Sequence, residues 1–279
     1  MDKSILKGVI DTHIHTAPDA FRRRKFNDLE LADEAERCGA RAIVIKSHSL
    51  ETAARAQLVD SLHRNLRVFG GLALNIWCGG LNPFAVEAAL DVGAKVIWLP
   101  TLTSRLEMDS GIICAEAGVV KAPLVDILKI MAQTDAVLAT GHISFDEQLA
   151  VVDKARELGV KKIVVNHPEL YRTRLNLRQQ ERLLEYGVII ERTYGGTQLP
   201  RSREFMKHLP MALEAIKALG AGSTIIATDV GQPTNVGWSD AYAEYMEYLE
   251  QGGISRKEID LMTKVLPARL LGLEPEAQG

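Results

Sequence analysis

Several things are scarce in this chain, and each shortage narrows what it can be. Its 279 residues include three cysteines, Cys38, Cys78 and Cys114, widely spaced and with no CxxC pair. This excludes a disulfide framework or a cysteine-built zinc site and suits a reducing cytoplasm. No apolar run approaches the ~20 residues that a membrane-spanning helix needs. The start, Met1-Asp2-Lys3-Ser4-Ile5-Leu6-Lys7, lacks the apolar core of a secretory signal. The formal charge is only -3, so no global field favours nucleic acid or an anionic membrane surface. Aromatic residues make up 5% and are not interleaved with the basic groups, as a nucleic-acid binder would require. No glycine-rich turn follows the first apolar run, which speaks against a dinucleotide-binding doubly wound sheet.

What remains is an ordinary globular composition, 47% hydrophobic and 25% charged. Eight short apolar runs read as buried strands: Val9–Thr16, Arg41–Lys46, Arg67–Asn75, Lys95–Pro100, Ala136–His142, Lys162–His167, Val188–Arg192 and Thr224–Asp229. Amphipathic segments separate them, for example Asn27–Cys38, Glu51–Leu62, Pro83–Leu90, Pro123–Ala132, Asp146–Leu158 and Leu177–Tyr186, and a last one spans Ser255–Leu273. Gly39, Gly93, Gly159 and Gly187 follow four of these helices at the position where a left-handed residue closes the last turn. Strands and helices alternating at this spacing predict an α/β fold, a (β/α)₈ TIM barrel forming a single domain over residues 1–279. The longer interval between the fourth and fifth strands, around Gly111–Lys121, predicts a small inserted hairpin placed as a cover.

In such a barrel the reactive face lies at the carboxyl ends of the strands, and polar residues collect there. The first run ends in His13 and His15, on one face of a strand and thus able to reach one metal ion. The second ends in Lys46 with His48 just beyond, the third in Asn75, the fifth in His142, the sixth in His167 and the eighth in Asp229. Five of the seven histidines therefore fall at strand ends, with His63 and His208 assigned to helices. A mixed set of imidazoles and a carboxylate suits a divalent metal, with zinc first and iron or manganese as alternatives. Arginines follow several strands: Arg22, Arg23 and Arg24, then Arg105, Arg172 and Arg174, and Arg201 and Arg203. A guanidinium matches carboxylate oxygens in a fork, so this mouth predicts a small anionic substrate, with Arg22, Arg172, His48, Asn75 and Trp98 around it.

With these residues in place the chain resembles the amidohydrolase superfamily of metal-dependent hydrolases. The likeness runs from His13 and His15 through His142, His167 and Asp229 to the closing Pro267-Ala268-Arg269-Leu270-Leu271-Gly272-Leu273. It implies His13, His15, His142, His167 and Asp229 as ligands of one or two metal ions, and Asp229 as the group that takes a proton from the attacking water. It also implies hydrolysis of an amide, cyclic amide, lactone or ester. One departure is that the fourth strand, ending Trp98-Leu99-Pro100-Thr101, offers no bridging lysine or glutamate. Lys46 is the nearest substitute, either carboxylated as a metal ligand or cationic against substrate. Two other readings stay open: a metal-dependent decarboxylase of a small carboxylic acid, and a non-catalytic metal-binding scaffold. No nucleic-acid or membrane partner is expected; a homo-oligomer is allowed.

Overall fold

The structure is a computed structural model and describes residues 3–195 and 208–274. Eight parallel strand positions alternate with helices, in the order expected from the sequence. They are β1 (Ile10–His15), β2 (Ala42–Lys46), β3 with β4 (Arg67–Phe69, Gly71–Ala73), β5 (Val96–Trp98), β8 (Val137–Ala139), β9 (Lys162–Asn166), β10 (Ile189–Thr193) and β11 (Thr224–Ala227). Hydrogen-bonded order runs β1-β2-β3 in one sheet and β11-β10-β9-β8-β5-β4 in the other. The two sheets join at both ends. On one side β3 and β4 are one stretch of chain; on the other, Asp229 N donates to His13 O at 2.8 Å and His15 N to Val230 O at 2.9 Å.

The third run is not the single strand that its composition suggests. It breaks at Gly70, so that β3 pairs with β2 while β4 pairs with β5. The reason is steric. A Cβ on Gly71 would lie 1.9 Å from the carbonyl oxygen of Val96, and one on Gly70 would lie 2.3 Å from that of Thr52. Only glycines let the backbone swing this close to both neighbours.

Eight of the helices are α1 (Asp28–Arg37), α2 (Ala53–Asp60), α3 (Pro83–Asp91), α4 (Ala122–Ala132), α5 (Phe145–Glu157), α6 (Leu177–Leu184), α7 (His208–Leu219) and α8 (Trp238–Gln251). Capping boxes start α1, α5 and α6, at Asn27/Glu30, Ser144/Glu147 and Asn176/Gln179, satisfying donors that the first turn leaves free. The glycines expected to close α1, α3, α5 and α6 all adopt positive φ. His63 lies just past the end of α2, not within a helix as the sequence pattern suggested. The closing segment is α9 (Arg256–Asp260), a π-helical stretch over Leu261–Val265, and α10 (Leu266–Leu271). Pro267 in the first turn of α10 has no N–H to give the preceding turn, and the wider π turn absorbs that break.

Inside the barrel Ile10, Ala42, Val44, Ala73, Val96, Trp98, Val137, Ala139, Val164 and Ile225 form one apolar cluster, capped at its amino end by Leu266, Leu270 and Leu271 of α10. The interior is thus packed below, leaving the carboxyl ends for polar groups. The inserted hairpin is present as β6 (Ala115–Glu116) and β7 (Val119–Val120), turning through Ala117 and Gly118 at φ +49° and +77°. It is tied to the first turn of α5, where Cys114 N donates to Glu147 Oε1 at 2.8 Å. Among the described residues no helix is long and apolar enough to cross a membrane.

Gly71→Ala forces a methyl into a backbone carbonyl that cannot move aside, so it is expected to cost about 1–3 kcal/mol. Urea unfolding of the two proteins measures this; an unchanged midpoint would contradict the tight approach of β4 to β5.

Candidate metal and substrate site

The site is organised by an irregularity in β1. Its register against β2 shifts between Asp11 and Ile14, and this bulge departs from the strict alternation read from the sequence. Asp11 faces outward, accepting from His13 N at 3.1 Å, Thr228 N at 3.1 Å and Trp238 Nε1 at 2.9 Å. Thr12 and His13 then both face inward, each bonded to Glu191 of β10, Thr12 Oγ1 at 2.7 Å and His13 Nδ1 at 2.8 Å. His15 follows on the same side, its Nδ1 3.1 Å from the carbonyl oxygen of Lys46.

These partners define tautomers. A carboxylate and a carbonyl can only accept, so Nδ1 of each imidazole carries the proton and Nε2 carries the lone pair. Both Nε2 atoms lie 3.2 Å from Oδ1 of Asp229. The three ligand atoms sit within 4.8 Å of one another. Three lone-pair donors facing each other repel unless a cation lies among them. Two ligands of one tetrahedral zinc, with bonds of about 2.0–2.1 Å, stand about 3.3 Å apart, close to the spacing seen here. The donor set and its burial therefore fit a divalent metal.

The electrostatics agree. Burial pushes the His15 imidazole down to about 3 and lowers His142; it drives His48 and His167 well below their usual range. These four are neutral near pH 7. Burial raises the Asp229 carboxyl, but positive charge on the His13 ring, and a proton shared with His15, outweigh that and hold it well below the usual carboxylate range whenever those rings are protonated. Glu191 is likewise kept ionised, by His13, Thr12 and Asn166 against its burial. His167 and Asp229 both have positive φ, +25° and +50°, backbone conformations that side chains other than glycine adopt at a cost.

Lys46 is fully buried, its Nζ 3.0 Å from His13 Nε2 and 5.2 Å from the centre of the Trp98 ring. Burial pushes it down to about 8, with Asp229 and Glu191 acting in the opposite direction. Trp98 is 1% exposed and forms the floor under this lysine. His142 donates Nδ1–H to Glu107 Oε1 at 2.9 Å, and its ring stands 4.8 Å from that of His167, which in turn is 5.8 Å from that of His13. The His48 ring stacks on His15 at 4.6 Å, with Nδ1 held by Thr101 at 2.8 Å.

Asn75 has no hydrogen-bonding capacity left for a ligand. Its amide nitrogen bonds His48 O and Thr101 Oγ1, and its oxygen accepts from Thr101 N and from the amide and hydroxyl of Thr103. It holds the two loops that carry His48 and Thr101. Arg22 and Arg172 are exposed. Arg172 is engaged by the Tyr171 hydroxyl at 2.7 Å and stands 3.7 Å from Glu107. Arg201 and Arg203 lie outside the described residues.

Sequence reasoning missed Glu191, Asp11, Glu107 and the burial of Arg24. Glu191 and Arg192 left a readable signal: two adjacent charges inside an apolar strand must be paired. Glu191 faces the histidines, and Arg192, on the opposite face, meets Glu169 and Gln180. Glu107, in a long loop, left none.

The fold, with strands and helices alternating around a packed interior, has counterparts among solved structures. In three dimensions the chain is similar to a protein assigned as a 2-pyrone-4,6-dicarboxylic acid hydrolase from Pseudomonas putida, at 17% identity and a TM-score of 0.65, covering 96% of this chain and 99% of that one. An amidohydrolase from Pseudomonas aeruginosa matches at 12% identity and a TM-score of 0.68, covering 96% and 97%. A zinc-containing amidohydrolase from Burkholderia multivorans matches at 15% identity and 0.62, covering 95% and 99%. The fold is therefore the amidohydrolase one. By sequence, the chain belongs to DUF6282, a family of unknown function whose model matches residues 8–191. No curated protein matches it.

Glu191→Gln puts an amide N–H against the donors Thr12, His13 and Asn166 and removes the charge that orients His13. It is expected to weaken metal binding about 10–100-fold, read by competition with a chromophoric chelator; unchanged affinity would dissociate Glu191 from the metal ligands.

Proposed function

We propose that this protein is a metal-dependent hydrolase that opens an amide, cyclic amide, lactone or ester bond in a small anionic substrate. The observation that carries the reading is the convergence of His13 Nε2, His15 Nε2 and Asp229 Oδ1, with both imidazole tautomers set by acceptors behind them. The likeness in fold to a protein assigned to hydrolysis of a dicarboxylated pyrone supports the substrate class. We take residues 1–279 as one barrel domain working in the cytoplasm.

His13, His15 and Asp229 would hold one ion per chain, zinc before iron or manganese, with His142 and His167 beside it. Such a cation would lower the pKa of a water toward ~7 and polarise a carbonyl. The chain's own groups do the rest. Asp229 is ionised and 22% exposed, so it can accept the proton of the attacking water and return it to the leaving group. His167 is neutral, with Nδ1 buried and without a hydrogen-bond partner among the described residues, and can orient a substrate oxygen. Lys46, cationic at neutral pH, can bind that oxygen as it gains charge; carboxylated, it would instead be a ligand for a second ion.

Elemental analysis tests the metal centre. About one ion per chain is expected, lost in Asp229→Asn and kept in Lys46→Ala; two ions, falling on lysine removal, would mean a carboxylated lysine, and none after reconstitution would overturn the metal centre. With His15 pushed down to about 3 and Asp229 well below its usual range, protons displace metal only in acid. The ion should therefore persist to about pH 5 and leave toward pH 3. Hydrolysis in ¹⁸O-water places one solvent oxygen in the product, whereas decarboxylation places none.

A further inference from the structure

The arginines at the mouth divide into two kinds. Arg22, Arg23, Arg105, Arg172 and Arg174 are exposed, where a cation is satisfied by water. Arg24 is 7% exposed, and its side chain only 1%. It lies in the loop from β1 to α1, which is pinned across the site. Ala17 N donates to Phe26 O at 2.9 Å, and Lys25 N to Gly231 O at 2.8 Å, two residues past Asp229.

One edge of the Arg24 guanidinium is occupied. Nε bonds Asp19 Oδ2 at 2.8 Å and Nη2 lies 2.6 Å from the same oxygen. Nη1, also buried, has no hydrogen-bond partner among the described residues. The nearby Arg55 differs: its Nη1 and Nη2 bond Pro18 O and Thr16 Oγ1, and its Nε pairs with Asp28. Gly231, whose carbonyl takes the Lys25 N–H, packs on β1 so closely that a Cβ there would lie 2.0 Å from the His15 carbonyl oxygen, so the loop carrying Arg24 lies against the strand that bears the histidines. A buried charged nitrogen left without an acceptor is costly and is corrected by a complementary anion.

The geometry points to Arg24 as the anchor for a substrate carboxylate, with Nη1 supplying the hydrogen bonds that select acids over uncharged analogues. This deepens the hydrolase reading and rests on it for the identity of the reacting bond. Asp19 acts as the positioning residue. Its carboxylate accepts from Phe21 N and Arg22 N, both at 2.9 Å, as well as from Arg24. It thereby fixes the plane of the fork.

The test uses the metal-loaded full chain and a set of small lactones and cyclic amides. Each is offered with a carboxylate or with an uncharged hydroxymethyl group in its place. Wild type should favour the acids, and Arg24→Gln should raise KM for acids about 10–100-fold, with kcat little changed and the hydroxymethyl compounds unaffected. Arg24→Lys keeps the ion pair with Asp19 but not the fork, so it should recover part of the preference; it carries the test should Arg24→Gln not fold. An acid preference that survives both changes overturns the anchor while leaving hydrolysis intact. Where no compound is turned over, calorimetry with citrate and with inorganic phosphate decides. Citrate binding weakened by Arg24→Gln supports the anchor and counts against hydrolysis. Equal binding in both proteins, or phosphate bound in preference to citrate, overturns the anchor.

Discussion

Two imidazole nitrogens, each 3.2 Å from one carboxylate oxygen, present lone pairs to it at the carboxyl end of the barrel. Left alone they repel, and the surrounding structure is built to prevent them from relaxing. Glu191 and the Lys46 carbonyl hold the far nitrogen of each ring. The bulge in β1 turns Thr12 and His13 inward together, and the positive φ of Asp229 brings its carboxylate back over β1. The strain and desolvation collected there are balanced by packing elsewhere, in the apolar barrel interior and under α10. A divalent cation placed among the three would turn this repulsion into binding.

Burial distributes roles among residues of one type. Five histidines share the face, yet each ring has a different backing group. A carboxylate backs His13, a carbonyl His15, a threonine hydroxyl His48 and a second carboxylate, Glu107, His142. His167 Nδ1 is buried without one among the described residues. Water would have levelled these rings to similar acidity; in a dry site the partner behind each ring decides what the front nitrogen does. Two of the buried cations, Lys46 and Arg24, are separated in the same way. Lys46 rests on Trp98 among the metal ligands, while Arg24 is drawn aside by Asp19 and keeps one nitrogen free.

Much of this was legible from the chain itself. Apolar runs at regular spacing and glycine helix stops are local signals, and they led to the barrel, its inserted hairpin and the positions of His13, His15, His142, His167 and Asp229. Local signals also had limits. A run from Arg67 to Asn75 reads as one strand, because the close contacts that break it at Gly70 come from Thr52 at the start of α2 and Val96 on β5. Asn75 looks like a ligand-binding amide, because its saturation by His48, Thr101 and Thr103 needs three loops in place.

By itself, then, the sequence determined which residue types arrive at the carboxyl face, since strand period and helix punctuation are properties of neighbouring residues. The tertiary structure alone decided which nitrogen of each histidine is free, that Glu191 and Asp11 serve the site, and that Arg24 rather than Arg22 is buried beside it. Those outcomes depend on contacts between segments more than a hundred residues apart, such as Thr12 with Glu191 and Asp11 with Thr228. They depend also on the exclusion of water, and neither exists until the barrel has closed.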